Sequence, residues 1–171
     1  MDYYALMFPE AVSQELQQLQ TPEAATSGFG FLKDQGIINE LQWLVFCASH
    51  LTGGIANGGV WDGLLGNQPK LVADCVPLLR RLGLANAAER FAMVFAQILE
   101  LQARVRQSLQ LGASVNMEQY WDEWQTAEGK LNDDDVESFE RDFLGEYGAT
   151  GPTLKSEIED AAISLVLSVR D

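Results

Sequence analysis

Apolar residues recur at spacings of three and four along most of this chain, and few segments alternate between apolar and polar residues. The first pattern places apolar side chains on one face of an α-helix, whereas alternation would indicate a strand. We therefore expect an all-α protein, a single compact domain of about seven to nine helices around a long central helix at residues 87–109. The pattern predicts helices at residues 10–20, 38–51, 71–82, 87–109, 117–131, 133–147 and 153–169.

The predicted helices group into three regions of one domain, because 171 residues are enough for one buried core and do not require a second. Residues 1–35 are predicted to form an N-terminal helix and a mobile connector, the connector being the stretch 21–30, which is rich in small residues. Residues 36–110 form the core with a Gly-rich turn. Residues 111–171 form an acidic helical third.

Residues typical of helix ends support these boundaries. Asn86 and Glu89 have the spacing of a capping box at the start of the predicted central helix. Thr153 is placed to cap the last helix. Pro77 lies inside the helix predicted at 71–82, and we expect it to kink or split that helix, since proline removes a helical hydrogen bond.

A Gly-rich stretch at residues 53–67 contains six of the 15 glycines of the chain. Gly53 and Gly54 are expected to end the helix that precedes them, and Asn57-Gly58 is a strong turn signal. A short helix that ends at Gly66 should follow. Its apolar positions are Val60, Trp61, Leu64 and Leu65. The stretch predicts an ordered junction between two parts of the core.

The same stretch carries a family resemblance. Asn57-Gly58-Gly59, with Trp61 soon after it and Asn67 a few residues on, resembles the bacterial DNA-mimic protein family, and the likeness extends over roughly residues 40–150. That family groups small acidic all-helical proteins, and its studied representative looks like duplex DNA to a DNA-binding regulator. The resemblance implies an all-helical fold, a DNA-binding protein as partner, and possible assembly as a homodimer.

The charge of the chain supports a basic partner. The formal net charge is −14, from 25 acidic and 11 basic residues. Residues 111–171 hold 15 acidic and four basic residues, a balance of −11, whereas residues 1–110 hold 10 and seven, a balance of −3. This composition argues against direct binding of nucleic acid or of an anionic membrane, because both need a positive surface. The acidic third is the predicted interaction surface.

Within the acidic third, carboxylates alternate with apolar positions on two predicted helices. Side chains three or four residues apart on a helix lie about 5–6 Å from one another, which is dense enough to imitate a row of phosphates. The predicted partner-binding face consists of Glu118, Asp122, Glu123, Glu128, Asp133, Asp134, Asp135, Glu137, Glu140, Asp142 and Glu146.

Three functions are compatible with that face. The first is a non-enzymatic DNA mimic, which occupies the basic DNA-binding surface of a transcriptional regulator or of another DNA-binding protein. The alternative is an immunity-type or antitoxin-like inhibitor that fills the active cleft of a basic nuclease toxin. A solvated acidic face that only keeps the protein soluble has the same composition.

Catalytic and metal chemistry have weaker support in the sequence. His50 follows Cys47 by three residues, so the two share a helix face, and Cys75 could be a third ligand; we favour a structural histidine beside a buried thiol. Asp133, Asp135 and Glu137 have the alternate spacing of the start of a calcium loop, but the glycine and the distal glutamate are not where that loop requires them.

For the aspartates, a helix start capped by Asn132 or Asp133 is the favoured interpretation. We therefore predict no catalytic residue, no metal ligand and no cofactor. The sequence also lacks an apolar stretch long enough for a membrane span and a basic start typical of a signal peptide. These features, together with two cysteines in apolar surroundings, predict a cytoplasmic protein.

Overall fold

The computed structural model describes residues 20–148 and 150–169, and within these ranges the chain forms nine α-helices and no strand. The helices are α1 Pro22–Ser27, α2 Gly30–Asp34, α3 Glu40–Gly58, α4 Val72–Arg81, α5 Ala85–Val94, α6 Ala96–Gln110, α7 Met117–Glu128, α8 Asp133–Leu144 and α9 Leu154–Ser168. A π-helix, Gly59–Gly66, follows α3, and a 3₁₀ turn, Pro69–Leu71, precedes α4. The all-α prediction is confirmed. The helix predicted at 10–20 lies outside the described residues apart from Gln20, which is not helical.

Helix α3 packs against more of the other elements than any other described helix does. It contacts α2, α4, α8, α9, the π-helix and the 3₁₀ turn. A capping box starts it: the Asn39 carboxamide accepts a hydrogen bond from Gln42 N–H at 2.8 Å, and Gln42 accepts one from Asn39 N–H at 3.0 Å. Its buried residues are Trp43, Leu44, Val45, Phe46, Cys47, Ala48, Leu51, Thr52 and Ile55. The central helix is therefore α3.

The prediction of one continuous helix at 87–109 is wrong, because the structure has two helices there, α5 and α6. Phe95 separates the two helices, with φ −103° and ψ 21°. Its ring lies 4.3 Å from the Phe91 ring and 5.6 Å from the Phe139 ring, and all three are buried. The break in the helix at Phe95 thus coincides with an aromatic cluster that the sequence spacing alone did not indicate.

The helix-end signals were correct in some places and wrong in others. Thr153 caps α9, accepting the Ser156 N–H at 3.1 Å in a capping box. Asn86 does not cap α5, because that helix starts one residue earlier, after Leu84, which offers no capping side chain. Pro77 lies inside α4 and does not split it. Packing of the buried face of α4 against α3 and α5 therefore outweighs the lost hydrogen bond.

The connector predicted to be mobile at residues 21–30 forms α1 and the start of α2. Thr21 caps α1, and the small side chains of the helix are buried as it packs on α6. Two carbonyls near its end are held from other helices. The Tyr120 hydroxyl donates to Ala25 O at 3.1 Å, and the Arg106 guanidinium donates to Thr26 O. Small residues here permit close packing, so the stretch predicted as a connector is helical.

The predicted turn in the Gly-rich stretch is also corrected. Helix α3 does not stop at Gly53 and Gly54 but continues to Gly58, so Asn57 and Gly58 lie in its last turn. Gly59 ends it with φ +68°, a conformation that favours glycine, and its N–H donates to Ile55 O. The short helix expected to end at Gly66 is present as the π-helix.

Candidate functional site

The two acidic helices form as their sequence pattern predicts. Asn116 caps α7, accepting the Glu118 N–H at 3.0 Å and the Gln119 N–H at 3.2 Å. Asn132 caps α8, accepting the Asp135 N–H at 3.0 Å. The buried residues of the pair are Tyr120, Trp124 and Ala127 on α7, and Val136, Phe139 and Phe143 on α8. Because these faces are buried, the acidic residues lie toward solvent.

None of the eleven acidic residues of the predicted face is buried. Three are half-buried, namely Glu123, Glu128 and Glu140. The exposed residues are Glu118, Asp122, Asp133, Asp134, Asp135, Glu137, Asp142 and Glu146. The solvent side of the acidic third is therefore rich in carboxylates, as the charge balance indicates.

The two acidic helices are held by different parts of the core. Helix α7 packs on α6, whereas α8 packs on α3, α5, α9 and the π-helix. We therefore treat the carboxylates as two groups. The α7 group is Glu118, Asp122, Glu123 and Glu128, and the α8 group is Asp133, Asp134, Asp135, Glu137, Glu140, Asp142 and Glu146.

Two carboxylates of these groups are paired within the chain. Glu123 forms a salt bridge with Arg104 and accepts a hydrogen bond from Gln119 at 3.0 Å, and these contacts lower the pKa of Glu123. Asp142 forms a salt bridge with Arg90. In the described part of the chain, no Lys or Arg lies within ion-pair distance of the first four acidic residues of the α8 group. Those four carboxylates have no ion pair among the described residues that an external partner would have to displace.

Glu140 has a structural role that the sequence did not reveal. Its carboxylate accepts the Val60 N–H at 2.7 Å, although the two residues are 80 positions apart. Val60 is buried at the start of the π-helix. A Cβ on Gly59 would lie 2.8 Å from a Glu140 carboxylate oxygen, so glycine lets the carboxylate approach. Glu140 therefore attaches the acidic helix α8 to the Gly-rich stretch.

Replacement of Glu140 by alanine is expected to lower the free energy of unfolding by about 1–3 kcal/mol, because the Val60 N–H loses its acceptor. Replacement of Glu137, exposed on the same helix, is the matched control and should change the stability by less than about 0.5 kcal/mol. Urea denaturation followed by circular dichroism measures both. Equal stabilities of the two variants would contradict this role for Glu140.

Within the Gly-rich stretch, the backbone at the end of α3 lies very close to the backbone of the π-helix. A Cβ on Gly63 would lie 2.0 Å from Gly54 O, and a Cβ on Gly58 would lie 2.9 Å from Gly63 N. Gln68 completes the junction, because its side-chain amide donates to His50 O at 3.2 Å. Trp61 is half-buried and packs against the core, and Asn67 follows the π-helix, its N–H donating to Asp62 O at 3.0 Å. The predicted ordered junction is present, but as packed helices.

Cys47, His50 and Cys75 do not form a reactive group. Both thiols are fully buried, and burial raises their pKa values well above the ordinary range, so the thiolate is disfavoured. Cys75 donates a hydrogen bond to Leu71 O at 3.2 Å. His50 is half-buried with its ring 4.2 Å from the Phe46 ring, and burial lowers its pKa. This geometry fits a structural histidine near a buried thiol.

Asp74 is a buried carboxylate that sequence reasoning missed. It is 2% exposed and accepts three hydrogen bonds, from Phe29 N–H at 2.7 Å, Gly30 N–H at 2.8 Å and the Trp43 indole N–H at 2.9 Å. Burial raises its pKa to about 7, although the three hydrogen bonds act to lower it. Asp74 joins α4 to α2 and α3. The sequence did contain a signal for this buried carboxylate, because Asp74 lies on the apolar face of the helix predicted at 71–82.

Fold and surface together define an acidic, all-helical protein with a carboxylate-rich third. No protein-family profile, curated protein or solved structure matches the chain. Among the described residues, no group of three or more histidine, cysteine, aspartate or glutamate side chains is placed to hold a metal ion. No helix in the described ranges has the length and apolar character that crossing a membrane requires.

Proposed function

We propose that this protein is a non-enzymatic DNA mimic, which uses the α8 acidic group to occupy the basic surface of a DNA-binding protein. One observation carries the proposal. Asp133, Asp134, Asp135 and Glu137 are exposed on one short, capped helix and have no cationic partner among the described residues. Such a dense negative surface attracts a protein whose own binding site is built for phosphates.

The scaffold beneath these residues supports the proposal. The buried Val136, Phe139 and Phe143 fix α8 to the core, so its backbone needs no ordering when a partner binds, unlike that of a flexible acidic tail. The resemblance of the Asn57-Gly58-Gly59 segment to the DNA-mimic family adds to it. We place the interaction in the cytoplasm, in agreement with the two free, buried thiols, Cys47 and Cys75.

Reversal of two charges on α8 tests the proposal. A lysate of the source organism is bound to DNA-cellulose, and the purified protein is added to the eluent. The wild type is expected to displace a DNA-binding protein into the eluate, where mass spectrometry identifies it. The double variant Asp134→Lys, Glu137→Lys should release at least about tenfold less of that DNA-binding protein from the DNA-cellulose, because the variant lacks the local negative charge that competes with DNA. The variant leaves Glu140 unchanged, because the Glu140 carboxylate accepts the Val60 N–H and so supports the fold.

The matched control has the same net charge at other sites. Asp34→Lys, Glu100→Lys changes exposed residues of α2 and α6, and each double variant has a formal charge of −14 + 4 = −10. If the control releases as little as the α8 variant, total charge and not the α8 group is responsible. Release of a nuclease whose DNA cleavage is inhibited would support the inhibitor function instead. No displacement by the wild type would contradict both functions.

A further inference from the structure

A cavity of about 540 Å³ opens where the end of the π-helix meets the 3₁₀ turn, α3 and α7. Its volume is within the range of about 300–1,000 Å³ that is typical of small-molecule sites. The residues that give it chemical character are Phe29, His50, Asn67, Gln68, Lys70 and Trp121. An adjoining cavity of about 330 Å³ shares His50, Asn67 and Gln68 with it. The two cavities flank the same three polar residues.

The described lining of the larger cavity combines a cation, amide groups and aromatic rings. Lys70 is the cation. The Asn67 side chain supplies an amide donor and acceptor. Trp121 and Phe29 supply aromatic surface. This combination of a few polar groups with aromatic walls is typical of a site that orients a small ligand.

The packing described above holds the cavity in place. The Gln68 side chain donates to His50 O at 3.2 Å, which ties the residue after the π-helix to α3. The His50 ring lies against the buried Phe46 ring. Burial lowers the pKa of Lys70 and that of His50. A half-buried ammonium group gains more from an anionic ligand than an exposed one does, because water screens the attraction less.

We propose that this cavity binds a small aromatic carboxylate, with the ring against Trp121 and the carboxylate beside Lys70, where the Asn67 side chain can donate a hydrogen bond. The rarity of π-helices, and their frequent occurrence at functional sites, agree with a ligand site at the end of Gly59–Gly66. The proposal is independent of the α8 acidic group, since none of that group lines the cavity.

The test is a titration of the uniformly ¹⁵N-labelled 171-residue chain with benzoate, salicylate and indole-3-acetate as probes, followed by two-dimensional NMR. Benzamide is the uncharged counterpart of benzoate. We expect at least one of the carboxylates to cause saturable shifts of the Gly66, Asn67 and Gln68 amides, and benzamide to bind at least about tenfold more weakly than benzoate. Lys70→Gln should weaken carboxylate binding at least about tenfold, and Lys130→Gln, an exposed lysine outside this cavity, should not change it.

Three results would overturn the proposal: no saturable shift with any carboxylate up to about 10 mM, equal binding of benzamide and benzoate, or unchanged binding by the folded Lys70→Gln variant. Trp121→Leu provides a second variant, for which weaker binding of every probe is expected because the aromatic wall is lost. The Asp134→Lys, Glu137→Lys protein should bind the carboxylates like the wild type. Failure of this site and failure of the DNA-mimic function are thus separate observations.

Discussion

Replacement of Gly63 by alanine is expected to lower the free energy of unfolding by about 3–5 kcal/mol, with a fall in melting temperature of roughly 10 °C. The new Cβ would lie 2.0 Å from Gly54 O and 2.7 Å from Gly54 C, distances at which backbone atoms must move. Since α3 is the central helix, that movement disturbs its buried contacts. Differential scanning calorimetry and urea denaturation measure the loss.

Gly53 provides the matched control for this substitution. It lies in the interior of α3, one position before Gly54, and a Cβ placed on it would have no neighbouring atom within 4 Å. Gly53→Ala is therefore expected to stabilise the protein by about 0.5–1 kcal/mol, because alanine restricts the unfolded chain and favours helix. Equal effects of the two substitutions would contradict the close approach of α3 and the π-helix.

Asp74→Ala is expected to have the second large effect, lowering the free energy of unfolding by about 3–5 kcal/mol near pH 5. The substitution leaves Phe29 N–H, Gly30 N–H and the Trp43 indole N–H without their acceptor, in surroundings where water replaces it poorly. The start of α2 should loosen first. Hydrogen exchange at the Phe29 and Gly30 amides is therefore expected to increase more than exchange elsewhere in the core.

The effect of Asp74 should depend on pH with a defined sign. Burial raises the pKa of the folded carboxyl to about 7 from 3.8, so protonation favours the folded state. This contribution is complete below pH 3.8 and is lost as the pH rises through 7. The difference in unfolding free energy between wild type and Asp74→Ala should therefore be larger at pH 5 than at pH 8.

Asp34→Ala, at an exposed position on α2, is the control for the loss of stability and for its pH dependence. It should change the free energy of unfolding little at pH 5 or pH 8. A wild-type advantage over Asp74→Ala that is the same at pH 5 and pH 8, and that falls only below about pH 4, would show that the three hydrogen bonds outweigh burial. In that case the folded pKa would lie below 3.8 and the sign of the pH dependence would be reversed.

Local patterns in the sequence predicted most helices but not how they meet. Periodicity located α4, α7, α8 and α9, and Asn132 and Thr153 act as the expected caps. The errors lie where tertiary packing outweighs local propensity. Small residues at 21–30 are typical of a connector when taken alone, yet Ala24, Ala25 and Thr26 are buried in α1, which packs on α6. Gly53 and Gly54 usually end a helix, but here Gly54 is required for a backbone contact with Gly63.

The acidic surface shows the same division between pattern and packing. Solvent exposure of the carboxylates follows from the positions of Val136, Phe139 and Phe143, which any amphipathic pattern would indicate. The partners of Glu123, Asp142 and Glu140 could not be predicted, because they come from residues 19, 52 and 80 positions away in the chain. Charge counting therefore overstates the surface that is free for a partner.

The packing of the Gly-rich stretch also defines a signature for recognising distant relatives. Gly54, Gly58, Gly59 and Gly63 follow the spacing G-x₃-G-G-x₃-G, and an added Cβ would meet another group at 2.9 Å or less at each of them. Gly53 has open space and is free to vary. A homologue that keeps this junction should therefore retain the four glycines and an acceptor at the position of Glu140, even where the rest of its sequence has diverged.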